Sequence, residues 1–192
     1  MIFTLCGSFN DKKEQHETAK RLLSYALYRE TGMVYEQQKI KKNDWGKPYV
    51  SAFPQVFYSV THCSGAVAVG IAPCRIGVDA ENIRGFSEAV AKRVCSDKEF
   101  RYIANSTDRN RAFFRLWTLK ESYIKALGVG FSFPMREANF EIDEKLNVKT
   151  SLCGCRFRLI ENKHGLIIAA CIMSDDDSVG SFMLCDTAHT EI

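Results

Sequence analysis

The pattern that most restricts what this chain can fold into is a plan that occurs twice. A helix stopped by Gly32 leads, through a turn-rich stretch, to a hairpin whose second strand reads Gly65-Ala-Val-Ala-Val-Gly-Ile-Ala. A helix stopped by Gly128 leads to a hairpin whose second strand reads Gly165-Leu-Ile-Ile-Ala-Ala-Cys-Ile. Read as a repeat, this predicts an α+β pseudo-dimer of two similar halves, residues 1–75 and 76–192. Hairpins rich in small apolar residues resemble one another, so the pattern alone also admits two unrelated hairpins. At 192 residues with 46% hydrophobic content the chain can bury a substantial core. No proline-, glycine- or serine-rich linker separates the halves, so they are expected to pack closely.

The finer reading gives strands over 2–6, 56–60, 66–72 and 76–81. Helices are predicted over 11–30, 87–94 and 96–104, and a long one from Thr107 or Asp108 to Gly128. Ser96 and Glu99 form a capping-box pattern, in which each side chain satisfies the other residue's free amide. Further strands are expected near 138–143, 155–161, 166–173 and 180–185. Residues 33–54 alternate irregularly around the turn signal Trp45-Gly46-Lys47-Pro48.

Charge and cysteine usage narrow the function classes. Twenty-six Lys and Arg against 23 Asp and Glu leave +3, spread along the chain and not gathered into the patch a nucleic-acid binder uses. No apolar run approaches the ~20 residues that span a bilayer. The N-terminus has no basic, cleavable leader pattern. The eight cysteines include no Cys-x-x-Cys pair, and Cys153-Gly-Cys155 has no histidine at finger spacing. The expectation is free, mostly buried thiols in a cytoplasmic protein.

Three segments carry candidate chemistry. In Gly77-Val78-Asp79-Ala80-Glu81 the two acids lie at i and i+2 of a strand. They therefore share a face, with Cα atoms about 6.6 Å apart at roughly 3.3 Å per residue. Such a pair is either two solvated acids at a strand edge or a seat for a hard cation such as Mg²⁺, which takes oxygen ligands. On the long helix, Phe113, Leu116, Trp117, Ile124 and Leu127 make an apolar stripe with Lys120 in its middle. A lysine there is rare unless it is paired or reaches outward. The reading adopted here aims its charge at a site, so Lys120→Met is expected to leave the helix packed while weakening substrate binding. Glu121 and Lys125 lie at i and i+4 on a flank, either as a surface ion pair or as part of that site. Thr61-His62 in a hairpin and Lys47 on a stiff turn offer groups for phosphate oxygens. P-loop, Gly-x-Gly-x-x-Gly and Gly-x-Ser-x-Gly patterns are absent.

With these segments in order, the sequence resembles a 4'-phosphopantetheinyl transferase of the Sfp type. The resemblance runs over residues 46–134. It rests on Gly46-Lys47-Pro48, Phe57 to Gly65, Ile76-Gly77-Val78-Asp79-Ala80-Glu81, the Trp117-x-x-Lys120-Glu121-x-x-x-Lys125 helix, and Leu127-Gly128-Val129-Gly130-Phe131-Ser132-Phe133-Pro134. It implies transfer of phosphopantetheine from coenzyme A to a serine of an apo acyl or peptidyl carrier protein, with release of adenosine 3',5'-bisphosphate. Asp79, Glu81 and Glu121 would ligate Mg²⁺, directly or through water. Lys120 and Lys125 would face the phosphates, and His62 with Thr61 would touch one. Lys47 would lie near the adenosine end and Thr18 near the adenine. Glu121 would take the serine proton. Lys12 or Lys13 would substitute for basic contacts that longer members carry ahead of the first helix. A monomer serving fatty-acid, polyketide or nonribosomal-peptide carriers is expected. The competing readings are a Mg²⁺-dependent phosphohydrolase and a non-catalytic carrier-binding module.

Overall fold

The computed structural model describes residues 1–6, 9, 11–35, 40–174 and 183–186. Strand β1 (Ile2–Cys6) precedes helix α1 (Lys12–Thr31), then come β2 (Ile40–Lys42), β3 (Pro48–Val50), β4 (Phe57–Cys63), β5 (Ala66–Ala72) and β6 (Arg75–Asn82). Helices α2 (Glu88–Val94), α3 (Asp97–Asn105) and α4 (Arg109–Leu127) follow. Strands β7 (Phe140–Ile142), β8 (Val148–Thr150), β9 (Cys155–Glu161), β10 (Leu166–Met173) and β11 (Leu184–Asp186) complete an α+β chain. The helix ends are where the residue types require them. Asp11 and Asp108 accept hydrogen bonds from the amides of Glu14 and Arg111, and Gly32 and Gly128 close α1 and α4 with φ of 71° and 73°.

Two sheets face each other. The first has the order β11-β1-β5-β4 and the second β6-β10-β9. Side-chain alternation divides each strand between two cores. Val67, Val69 and Ile71 of β5 pack with Leu22, Leu23 and Leu27 of α1. Ala66, Ala68 and Ala72 of the same strand meet Ile168, Ala170 and Ile172 of β10 between the sheets. The opposite face of β10, Ile167, Ala169 and Cys171, packs on Phe113, Leu116 and Leu119 of α4. The layers therefore run α1, first sheet, second sheet, α4. At about 1.5–3 kcal/mol for each large side chain buried, the three clusters supply most of the drive to this arrangement.

Strand β6 positions the chemistry. Ile76, Val78 and Ala80 join the inter-sheet core, so Gly77, Asp79 and Glu81 turn towards α4. A Cβ at Gly77 would collide with the Ser122 carbonyl and the Ala126 amide, so glycine is what lets the α4 backbone lie directly on the strand. Thus an acid-bearing strand and a helix bearing Glu121 and Lys125 are forced together.

Several elements depart from the sequence expectation. Residues 40–50 form the β2–β3 hairpin, whose three-residue strands are too short to display alternation. β8 is another short strand of this kind, pairing with β7. The final strand, expected at 180–185, is found at 184–186, residues 180–182 lying outside the described set. It pairs in parallel with β1 and so adds to the first sheet. No disulfide joins any of the eight cysteines, but only Cys95 and Cys171 are buried, while Cys6 and Cys153 are exposed. Among the described residues no helix is long and apolar enough to cross a membrane.

Candidate active site

Between β6, β4 and α4 stand three carboxylates and a lysine. Asp79 is 5% exposed. Its Oδ1 accepts from Lys125 Nζ at 2.6 Å and from Thr61 Oγ1 at 3.3 Å. Lys125 also donates to Thr61 Oγ1 at 3.1 Å, which closes a triangle. The other oxygen, Asp79 Oδ2, is buried with no hydrogen-bond partner, and so is Glu121 Oε1. Glu121 is 9% exposed. Its carboxyl is pushed up to about 7, first by burial, then by the Asp79 and Glu81 charges, with Lys125 opposing. Glu81 accepts from the Trp117 indole at 3.2 Å and from Arg84 at 2.7 Å.

These acids set a test for a hard cation. Among the described residues no three His, Cys, Asp or Glu side chains stand in ready coordination geometry. The chemistry of the donors nevertheless fits such an ion. Two buried carboxylate oxygens lack partners, and unpaired buried acceptors are costly unless something satisfies them. Three like charges held on facing elements raise the cost of ionising Glu121 and call for a counter-charge beyond Lys125.

Next to the acids a cavity of about 310 Å³ opens. Trp45, Pro48, Tyr58, Val60 and Ile124 give it largely apolar walls, while Glu121 and Lys125 stand in its lining. On β4, His62 is exposed. Partial burial pushes its imidazole below the usual histidine range, and the positive surroundings of His16, Lys125 and Lys12 push it further the same way. The start of α1 and the end of β4 therefore bring several cationic or potentially cationic groups into one neighbourhood, suited to an anionic ligand.

A family model described as the 4'-phosphopantetheinyl transferase superfamily matches residues 75–171, half of the chain. The chain belongs to that superfamily. It is 28% identical over 184 residues to the 4'-phosphopantetheinyl transferase ffp of Bacillus subtilis, covering 89% of this chain and 80% of that protein. It is 26% identical over 184 residues to the 4'-phosphopantetheinyl transferase Sfp of Bacillus subtilis strain 168, with the same coverages. Among solved structures, it is similar to the holo-[acyl-carrier-protein] synthase of Thermotoga maritima, with a TM-score of 0.45 and 18% identity over 53% of this chain and 63% of that one.

As a member of the phosphopantetheinyl transferase superfamily, the chain brings Asp79, Glu81, Glu121, Lys125 and Thr61 together. Two lysines expected at the phosphates are elsewhere. Lys120 is fully buried, and its ammonium forms an ion pair with Glu99 at 2.9 Å. It also donates to the carbonyls of Met135 and Ala138. The C-terminal half of α4 is covered on both sides, so a stripe position there faces protein. Lys47 lines the cavity with its stem, yet its ammonium donates to the carbonyls of Ile76 at 3.0 Å, Lys125 at 2.6 Å and Ala126 at 3.0 Å. It ties the end of α4 to β6, and all three of its protons are engaged. Thr18 is half-buried on α1 and does not line the cavity. Sequence reasoning missed Arg84 and the role of Trp117. Arg84 follows Glu81 by three residues in a segment without periodicity, and Trp117 reads simply as a member of an apolar stripe.

Proposed function

We propose that the chain catalyses transfer of the 4'-phosphopantetheine arm of coenzyme A to a serine hydroxyl of an apo carrier protein, aided by Mg²⁺, with release of adenosine 3',5'-bisphosphate. The observation that carries this reading is the convergence of Asp79, Glu81, Glu121 and Lys125 beside a largely apolar cavity, with two buried carboxylate oxygens left without partners. The names of the relatives support the same reaction class.

In the reaction the serine oxygen bonds to the phosphorus that carries the pantetheine, and the anhydride P–O bond to the adenosine-side phosphate breaks. The serine proton leaves to a base. Glu121 is suited to take it, because its carboxylate stands in the cavity lining beside Lys125, where a hydroxyl can reach it. Lys125, already on Asp79 and Thr61, offers a fixed positive charge to the diphosphate oxygens. Lys12 at the start of α1 adds a positive charge for the remaining phosphate, and the exposed His62 imidazole beside it can donate an N–H. Asp79, Glu81 and Glu121 would hold Mg²⁺, directly or through water, and the ion would supply charge neutralisation at the diphosphate. Asp79 and Glu121 are mostly buried beside largely apolar walls, which limits the water able to compete with a protein hydroxyl as the nucleophile.

Incubation of an apo carrier protein with the chain, coenzyme A and Mg²⁺, followed by intact-mass analysis, tests this. A gain of one phosphopantetheine group supports transfer. Cleavage of coenzyme A with no gain on the carrier would identify a hydrolase instead.

A further inference from the structure

Glu81 differs from the two other acids because both of its oxygens are occupied, and by groups of opposite character. Oε1 takes the indole N–H of Trp117 at 3.2 Å. That indole is fixed within an aromatic row, with Phe113 5.9 Å from it and Phe86 stacked on Phe113 at 4.6 Å. It is an uncharged donor on a helix packed into the core. Oε2 takes Arg84 at 2.7 Å. Arg84 is on a loop, its side chain is 58% exposed, and its guanidinium lies over the Phe114 ring at 4.6 Å. One contact is built in; the other comes from a mostly exposed cation that also donates to the Asn82 carbonyl at 3.0 Å, an exposed ion pair of the kind that contributes little.

Resting on the metal reading above, we infer that Trp117 is a positioning residue that holds one oxygen of Glu81, and that Arg84 is an exchangeable counter-ion occupying the oxygen a divalent cation would claim. In the metal-free protein Arg84 neutralises Glu81 from the loop after β6 as Lys125 neutralises Asp79 from α4. Loading a cation then displaces Arg84. The ring of Phe114 remains as a pivot, which leaves a guanidinium at the site's edge for an anionic group of substrate or carrier.

The two roles predict opposite signs. Mn²⁺ is the probe, its binding read from the electron-paramagnetic signal of the free ion. Arg84→Gln removes the competitor and should tighten Mn²⁺ by about threefold, as expected of an exposed pair. Trp117→Phe keeps an aromatic ring in the row but removes the N–H, and should weaken Mn²⁺ by about tenfold, the size seen when a residue orienting a ligand is lost. Both effects should vanish in a Glu81→Gln background, which a merely structural role would not produce. Thermal melts show whether Trp117→Phe folds; if it does not, the tightening by Arg84→Gln and its loss in Glu81→Gln decide alone. Unchanged or weaker Mn²⁺ binding by Arg84→Gln overturns the inference, and so does persistence of either effect without Glu81. If Asp79→Asn binds Mn²⁺ like wild type, the metal reading itself fails. If Asp79→Asn loses Mn²⁺ and the Arg84 and Trp117 variants change nothing, only the present inference fails.

Discussion

Replacing Lys120 with Met separates the two accounts of this lysine most sharply. Its ammonium is fully buried and pairs with Glu99, whose side chain is 1% exposed. The Glu99 carboxylate also accepts from the amides of Ser96 at 2.8 Å and Phe140 at 3.0 Å, so it links α3, α4 and the start of β7. Burial holds the Lys120 ammonium below its usual range, with Glu99 opposing. Removing one partner of a buried pair leaves the other charge uncompensated, at a cost of about 3–5 kcal/mol. The carbonyls of Met135 and Ala138 lose their donor as well, which places the expected loss at the upper end. For a chain of this length each kcal/mol lowers the melting temperature by about 2–4 °C, so Lys120→Met should melt on the order of 10–20 °C below wild type. The double variant Glu99→Leu, Lys120→Met removes both charges and should recover only the part due to the uncompensated carboxylate, because the Met135 and Ala138 carbonyls still lack a donor and the Ser96 and Phe140 amides lose their acceptor. Thermal and denaturant unfolding of the four proteins in the cycle measure the coupling. The reasoning is refuted if Lys120→Met melts within a degree or two of wild type while coenzyme A binding collapses, the outcome the helix pattern alone suggests.

Glu121→Gln should stabilise the metal-free protein in a pH-dependent way. The folded carboxyl is raised from 4.5 to about 7, so its cost is absent below about pH 4.5, grows through the interval and is full above about 7. At about 1.36 kcal/mol per pH unit the gain at pH 8 should be up to about 3 kcal/mol, with almost none at pH 4.5; equal melting at pH 8 in EDTA counts against this. The same variant should lower kcat by about 10²–10⁴-fold. Lys47→Met should lower stability, because three carbonyls lose a donor, while the KM for coenzyme A changes little; a large KM effect with unchanged melting would restore Lys47 to the phosphates. The Cys153→Ser, Cys155→Ser double change should leave activity intact in a folded protein, since neither cysteine is in a disulfide and neither lines the cavity.

What could be read from the sequence was what strand and helix periods encode. Period two placed Asp79 and Glu81 on one face, and that face meets α4. The caps at Asp11, Ser96 and Gly128 are where their residue types predict. The Trp117-x-x-Lys120-Glu121-x-x-x-Lys125 spacing did bring Glu121 and Lys125 to Asp79. Periodicity says which side of an element a residue takes, but not which distant group waits there. Glu99 was legible as half of a capping box, yet nothing in a separation of 21 residues reveals that its carboxylate also receives Lys120. Lys47 was legible as a cation on a turn, but its targets are carbonyls at 76, 125 and 126 that exist only once α4 has landed on β6. The return of β11 to the first sheet depends on an edge that β1 leaves open, a tertiary fact with no local signal.

The central claim is that these acids and Lys125 move a phosphopantetheine group onto a carrier serine. Its most direct test is the intact mass of a panel of apo carrier proteins after incubation with coenzyme A and Mg²⁺. Each reaction is run with wild type, with wild type in excess EDTA, and with Asp79→Ala. The account predicts a gain of one phosphopantetheine group on at least one carrier with wild type, none with EDTA, and nearly none with Asp79→Ala. Undiminished modification by Asp79→Ala or in EDTA, or no modification of any carrier by folded wild type, would contradict it.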